Sequence, residues 1–386
     1  MRVVSAILCI LLLFSLTACS TPEPAAPTVS IPSSEALPVQ TLPRETQPPT
    51  TLPPDPLEVL LESMTIEERV GQLFLARCAD ATALEDIAAY HLGGFVLFGG
   101  DFADQTPESI RAKLSGYQEA ARLPMLIAVD EEGGTVTRVS CYPAFREMPF
   151  PSPRNALKNW GMDGVMTVEE EKCQLLSSLG INVNLGPVCD IATDPNAFMY
   201  QRSLGQDAQT TSEFVSQVVR LMNAHQMGSA LKHFPGYGNN ADTHTGMARD
   251  SRSLAELEEN DLLPFASGIQ AGCGAILVSH TIVEALDPKT PASLSPAVHA
   301  YLRDTMGFDG VILTDDLVME AITDAYGAGE AAVLAVLAGN DLLCSTEYAV
   351  QYEAVLGAVL EGRIPFDTLN DAVRHVLGWK MDLGLL

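Results

Sequence analysis

Acidic and basic side chains recur at the ends of short apolar runs in this chain. "GVILTDD" ends in Asp315 and Asp316, "SALKHFPG" carries Lys232 and His233, and "PMLIAVD" ends in Asp130. Asp190 and His280 finish two more runs, and Asp242 and His244 follow within the glycine- and asparagine-rich "GYGNNADTHTG". Groups of this kind suit paired acid and nucleophile work. Cleaving a glycosidic bond, for instance, takes one group to attack the anomeric carbon and another to protonate the leaving oxygen. Asp315 stands directly at the tip of its run and is the candidate for attack. An Asp there also commonly caps the following helix. Side chains alternate along an extended segment, so Asp315 and Asp316 point apart, and one can cap while the other reacts.

The elements that must carry these groups are legible. Eight short apolar runs occur at 72–77, 93–99, 124–130, 181–190, 229–236, 275–280, 310–316 and 340–345. Helical spacing falls between them at 105–121, 166–179, 208–226, 253–271, 296–306, 328–338 and 347–361. Ahead of the first run, Thr65 and Glu68 are spaced as a capping box. Strands alternating with helices imply parallel pairing with right-handed crossovers, and runs apolar on both faces suit strands covered on both sides. Eight such units predict an α/β fold, a single (β/α)₈ TIM-type barrel over residues 56–386. An open doubly wound sheet is the rival. No G-x-G-x-x-G follows the first run, which weakens a dinucleotide-binding version of it. "FDTLNDAVRHVLGWKMDLGLL" reads as an amphipathic closing helix, and no second domain is expected after it. In a barrel the chemistry sits at the C-terminal ends of the strands. Asp130, Asp190, Lys232, His233, His280 and Asp315 should therefore ring one pocket, together with the loop of Asp242 and His244.

Other chemistries find little support. Three imidazoles could be drawn from "KH", "DTH" and "SH", but no helix carries a paired-His motif, and no metal or cofactor is expected. There is no G-x-S-x-G elbow. Net charge is −27 and the sequence pI is about 4.4, which argues against nucleic acid and against docking on anionic lipid through a basic patch. Cys78, Cys141, Cys173, Cys189, Cys273 and Cys344 are irregularly spaced and read mostly as free, buried thiols. The N-terminus has the features of a targeting segment: Arg2, then "VVSAILCILLLFSL", then "LTAC". It resembles a bacterial lipobox, implying a signal peptide over residues 1–18 and lipid on Cys19. Residues 19–55, rich in Pro, Ser and Thr, cannot bury enough apolar surface to fold and should be a disordered tether. Such a protein would be extracytoplasmic, held at the cell membrane through its lipid alone.

One resemblance sharpens the reading. "LKHFPGYGNNADTHTG" resembles the K-H-F/I-P-G-x-G…D-S/T-H signature of β-N-acetylglucosaminidases of glycoside hydrolase family 3. "AVDEEGGTVTR", "QRSLG", "LDPKTPASLSP" and "GVILTDDLVMEAI" are similar to further segments of that family, in the same order. The resemblance implies Asp315 as the nucleophile, His244 as general acid/base and Asp242 as its partner. It implies Asp130, Arg202, Lys232 and His233 as groups that hydrogen-bond sugar hydroxyls. Arg138 falls on a family arginine and reads equally as structural or substrate-facing. The chemistry agrees: His titrates near neutral pH, and a carboxylate beside it orients the ring and stabilises the imidazolium. The implied activity is that of a retaining, exo-acting β-N-acetylhexosaminidase acting on GlcNAc-containing glycans such as peptidoglycan fragments, as a monomer. A phosphorylase or β-glucosidase of the same family and a non-catalytic sugar-binding lipoprotein remain as alternatives. Thr135, Tyr237 and Leu204 depart from residues frequent in the family, which bears on remote-subsite preference. Taken alone, His233 reads as a satisfied core histidine, Glu131 and Glu132 as a solvated turn, and Met319 as packing. His280 and Asp190 stay open.

Overall fold

The computed structural model describes residues 55–238 and 248–386. Cys19, the signal-like segment, nearly all of the tether, Asp242 and His244 lie outside the described residues. Eight strands pair in parallel: β1 Phe74–Arg77, β2 Gly94–Leu97, β3 Leu126–Val129, β4 Val183–Asn184, β5 Gly228–Phe234, β7 Ala275–Val278, β9 Val311–Thr314 and β10 Leu343–Ser345. Their order is β10-β1-β2-β3-β4-β5-β7-β9. A parallel bridge between Leu313 and Leu342 closes the ring, with Leu342 N donating to Ile312 O and Thr314 N to Leu342 O, both at 3.1 Å. Each strand lies within one of the eight expected runs, apart from the extra residue Gly228 at the start of β5. The remaining two strands, β6 Arg249–Asp250 and β8 Ile282–Val283, pair with each other outside the barrel. The rival open sheet is thereby ruled out.

Alternation along each strand builds two apolar layers. Leu75, Val96, Leu126, Ala128, Leu277 and Leu313 pack inside the barrel, while their neighbours Phe74, Phe95, Ile127 and Ile312 pack outward under the helices. A fully buried aliphatic side chain contributes about 1.5–3 kcal/mol against the entropy of ordering it. The closing helix Phe366–Asp382 plugs the N-terminal mouth with Val376 and Trp379. The indole sits so close to Gly274 that a Cβ there would lie 2.0 Å from its Nε1, so this residue must be glycine. The capping box at Thr65 is formed, opening helix Ile66–Gln72. Helix Pro153–Leu179 starts well before the expected 166 and breaks at Gly161, whose φ of 69° belongs to the left-handed region. Two short helices, Ala83–Tyr90 and Glu320–Tyr326, were not anticipated. Cys78, Cys173, Cys189, Cys273 and Cys344 are free and buried, as expected, and Cys141 is free and exposed.

One buried charge sits badly in this frame. Lys380 on the closing helix is 0% exposed, and its Nζ donates to Gln72 Oε1 at 2.6 Å. Burial pushes its amine down to about 7. An unfolded lysine titrates near 10.4. The folded state therefore binds the proton more weakly than the unfolded state does. The resulting penalty is complete below pH 7, fades as pH rises from 7 to 10.4, and is gone above that. Lys380→Met should raise the melting temperature more at pH 6 than at pH 9.5. Its advantage should shrink by at most about 1.4 kcal/mol per pH unit across that window. Thermal melts of both proteins at the two pH values test this, and a pH-independent difference would contradict it.

Candidate active site

The C-terminal ends of the strands surround a cavity of about 610 Å³. Asp130, Arg138, Arg202, Lys232, His233 and Asp315 all line it. These six selected residues thus face one space, whereas Asp190 and His280, also expected to ring it, are not among its lining residues, and Cys19, Asp242 and His244 lie outside the described part. Asp130 follows β3, Lys232 and His233 belong to β5, and Asp315 follows β9. Arg202 comes from the long connection after β4, just beyond the short 3₁₀ turn Phe198–Gln201. The chain leaves β5 along the cavity wall at Tyr237, just before the Asp242–His244 segment.

The tandem aspartates divide their work as alternation requires. Asp315 faces the cavity, and its Oδ1 accepts from Asp316 N at 2.9 Å. Asp316 ties down the following turn: its Oδ1 accepts from Val318 N at 3.1 Å and its Oδ2 from Thr346 Oγ1 at 2.6 Å. His280 lies buried behind this turn. Its Nε2 donates to Asp316 O at 3.0 Å, and its Nδ1 accepts from Ser293 Oγ at 2.7 Å. It supports the backbone beside Asp315 and is not among the residues lining the cavity.

The opposite wall is a charged network. Lys232 Nζ meets Asp130 Oδ1 at 2.6 Å and Glu132 Oε1 at 2.7 Å. Arg202 grips Glu132 with two bonds, Nε to Oε2 at 2.9 Å and Nη2 to Oε1 at 2.7 Å. The same Nη2 lies 3.1 Å from His233 Nε2. A guanidinium only donates, so that nitrogen accepts and the ring proton sits on Nδ1, 2.8 Å from Asp190 Oδ2. Asp190 also accepts from the backbone of His233 at 3.2 Å and of Tyr237 at 2.7 Å. It holds the histidine, which resolves the open reading of Asp190. Arg138 stacks 5.4 Å from the centre of Phe98 and stands 3.7 Å from Asp130 Oδ2, a loose pairing that leaves it facing the cavity.

Burial alone would raise the carboxyl of Glu132, but Lys232 and Arg202 outweigh it and hold the group well below the usual carboxylate range. Burial alone would lower the Lys232 amine, but Asp130 and Glu132 outweigh it and hold the amine above its usual value. Lys232 is thereby held as a cation facing the cavity and Glu132 as an anion behind it. Each charged hydrogen bond to a sugar hydroxyl would contribute about 1.5–3 kcal/mol.

The solvated turn expected at Glu131 and Glu132 is corrected. They are 0% and 6% exposed, because backbone amides and two cations draw their carboxylates inward. Their place at the C-terminal end of β3 was the signal that could have found them. Met319, expected as packing, is buried and also lines the cavity. Among the described residues no cluster of His, Cys, Asp or Glu is arranged to hold a metal ion.

Comparison with known proteins agrees with the fold. Residues 65–378 match the family described as glycosyl hydrolase family 3 N terminal domain. A beta-hexosaminidase of Stenotrophomonas maltophilia (strain R551-3) is 33% identical over 303 residues, spanning 74% of this chain and 89% of the relative. A glycoside hydrolase family 3 beta-N-acetylglucosaminidase from Paenibacillus sp. str. FPU-7 superposes with a TM-score of 0.77 at 31% identity, over 84% of this chain. This chain spans only 63% of that longer one. A beta-N-acetylhexosaminidase from Beutenbergia cavernae superposes with a TM-score of 0.72 at 26% identity, over 83% of this chain and 99% of the other.

Proposed function

This chain belongs to glycosyl hydrolase family 3 and is a glycoside hydrolase; from that, we propose that it is a retaining exo-β-N-acetylhexosaminidase. It removes terminal β-linked GlcNAc, with fragments of peptidoglycan as the substrate class. Asp315 attacks the anomeric carbon and forms a glycosyl-enzyme, which water then resolves. His244, partnered by Asp242, protonates the leaving oxygen and then deprotonates the water. Asp130, Arg202, Lys232 and His233 hold the sugar hydroxyls, and Arg138 joins them from the rim.

The observation that carries this reading is the meeting of Asp315 with the Asp130–Lys232–Arg202–His233 network around one cavity. The D-x-H element of the sequence supplies the proton carrier, and the names of the relatives support the N-acetyl preference. Aryl β-GlcNAc and aryl β-glucoside, each assayed with and without phosphate, test it. Faster turnover of the GlcNAc substrate, with free GlcNAc as product in both buffers, is expected. A sugar 1-phosphate product would make the enzyme a phosphorylase, and preference for glucoside would make it a glucosidase.

The barrel works outside the cytoplasmic membrane as a monomer, on a tether lipidated at Cys19. The lipobox-like "LTAC" and the Pro-, Ser- and Thr-rich stretch after it support this. Palmitate labelling that persists in Cys19→Ala would contradict it.

A further inference from the structure

Behind the cavity wall, two cations converge on a single oxygen. Lys232 Nζ and Arg202 Nη2 each lie 2.7 Å from Glu132 Oε1. Like charges drawn this close need an anion between them. The second oxygen of Glu132 takes Arg202 Nε at 2.9 Å, which fixes the plane of the guanidinium as well as its position. Glu132 is nearly inaccessible and is not among the residues lining the substrate cavity.

Its own place is fixed from outside the site. Lys172, buried on helix Pro153–Leu179, donates to Glu132 O at 2.7 Å and pairs with Glu169 at 2.7 Å. The adjacent Glu131 accepts from the backbone of Arg138 at 2.9 Å and of Val139 at 2.8 Å, and from the Ser140 hydroxyl. Asn184 at the end of β4 holds the main chain of Glu131 from both sides, at 2.9 and 3.3 Å. The two carboxylates thus point to different targets: one fastens the loop that carries Arg138, the other gathers Arg202 and Lys232.

We propose that Glu132 is a positioning residue of this active site: from behind the cavity wall its carboxylate sets the spacing and direction of Arg202 and Lys232, and so decides where a sugar's hydroxyls are held. Asp130 stands on the cavity side of Lys232, and His233 with Asp190 beyond Arg202. Of these two cations Asp130 contacts only Lys232, so Glu132 is what couples them. The inference rests on the reading of Arg202 and Lys232 as sugar-binding groups.

Glu132→Gln keeps the shape and removes the charge. On the aryl glycoside that wild type turns over best, kcat/KM should fall about 100-fold in a folded variant. The loss should fall mainly on KM, because the two cations hold the sugar rather than react with it. Glu132→Asp restores the charge and should recover kcat/KM in part. A crystal structure of the Gln variant should show Arg202 and Lys232 moved apart. A folded Gln variant with unmoved cations and kcat/KM within about threefold of wild type would overturn the proposal. If the Gln variant does not fold, Glu132→Asp is decisive alone, and wild-type kcat/KM in it would overturn the proposal. Wild type inactive on every aryl glycoside would sink the hydrolase reading instead, leaving the crystal structure to decide on Glu132.

Discussion

Asp315→Asn is expected to lower kcat/KM on aryl β-N-acetylglucosaminides by about 10⁴-fold or more, the scale seen when a nucleophile is removed. The cause is chemical. A neutral amide cannot form the glycosyl ester, yet its oxygen can still accept from Asp316 N as Asp315 does now at 2.9 Å. The barrel should fold unchanged, since Asp316 and not Asp315 ties down the following turn. Azide, small enough for a cavity of about 610 Å³, should attack in place of the missing carboxylate and restore turnover as the α-glycosyl azide. Steady-state kinetics with and without azide check this. Asp315→Asn retaining a tenth of wild-type kcat/KM would remove Asp315 from the role of nucleophile.

The second large effect concerns His244. A general acid matters most when the leaving group is poor, and its removal typically costs 10²–10⁴-fold. His244→Ala should therefore lose about that much on an alkyl or disaccharide β-GlcNAc, and far less on a dinitrophenyl glycoside whose phenolate leaves unaided. A plot of log kcat/KM against leaving-group pKa should be steep for the variant and shallow for wild type. Equal losses on good and poor leaving groups would contradict the acid role. Asp242→Asn should repeat the pattern more weakly, because the partner acts through the ring it orients.

Much of this arrangement is legible in residue order. All eight barrel strands were visible because strands covered on both faces are largely apolar, as β3 is, with Leu126–Val129 all buried. The strand-end rule picked out Asp130, Asp190, Lys232, His233, His280 and Asp315; the structure sets Asp130, Lys232, His233 and Asp315 around one cavity and leaves Asp190 and His280 out of its lining. Asp316 caps the following turn as expected, yet it also lines the cavity beside Asp315. What escaped depends on partners distant in the chain. Glu132 looks like a solvent-facing acid until Arg202, 70 residues away, folds over it. Lys380 reads as part of a polar helix face, yet it turns inward to Gln72 at the opposite end of the barrel sequence. Asp190 was left open because only the fold of β5 brings His233 onto it. Helix Ala83–Tyr90 buries little beyond Ala83 and Ile87, too short a stripe to register as periodic.

A covalent glycosyl-enzyme on Asp315 is the feature on which the proposed mechanism turns. Wild-type enzyme should be incubated with a fluorinated, slowly released β-N-acetylglucosaminide, quenched in acid, digested and sequenced by mass spectrometry. The expected result is one peptide heavier by the mass of the fluorosugar, with the modification on Asp315 and absent from Asp315→Asn. Turnover without any labelled peptide, or a label on another residue, would contradict it.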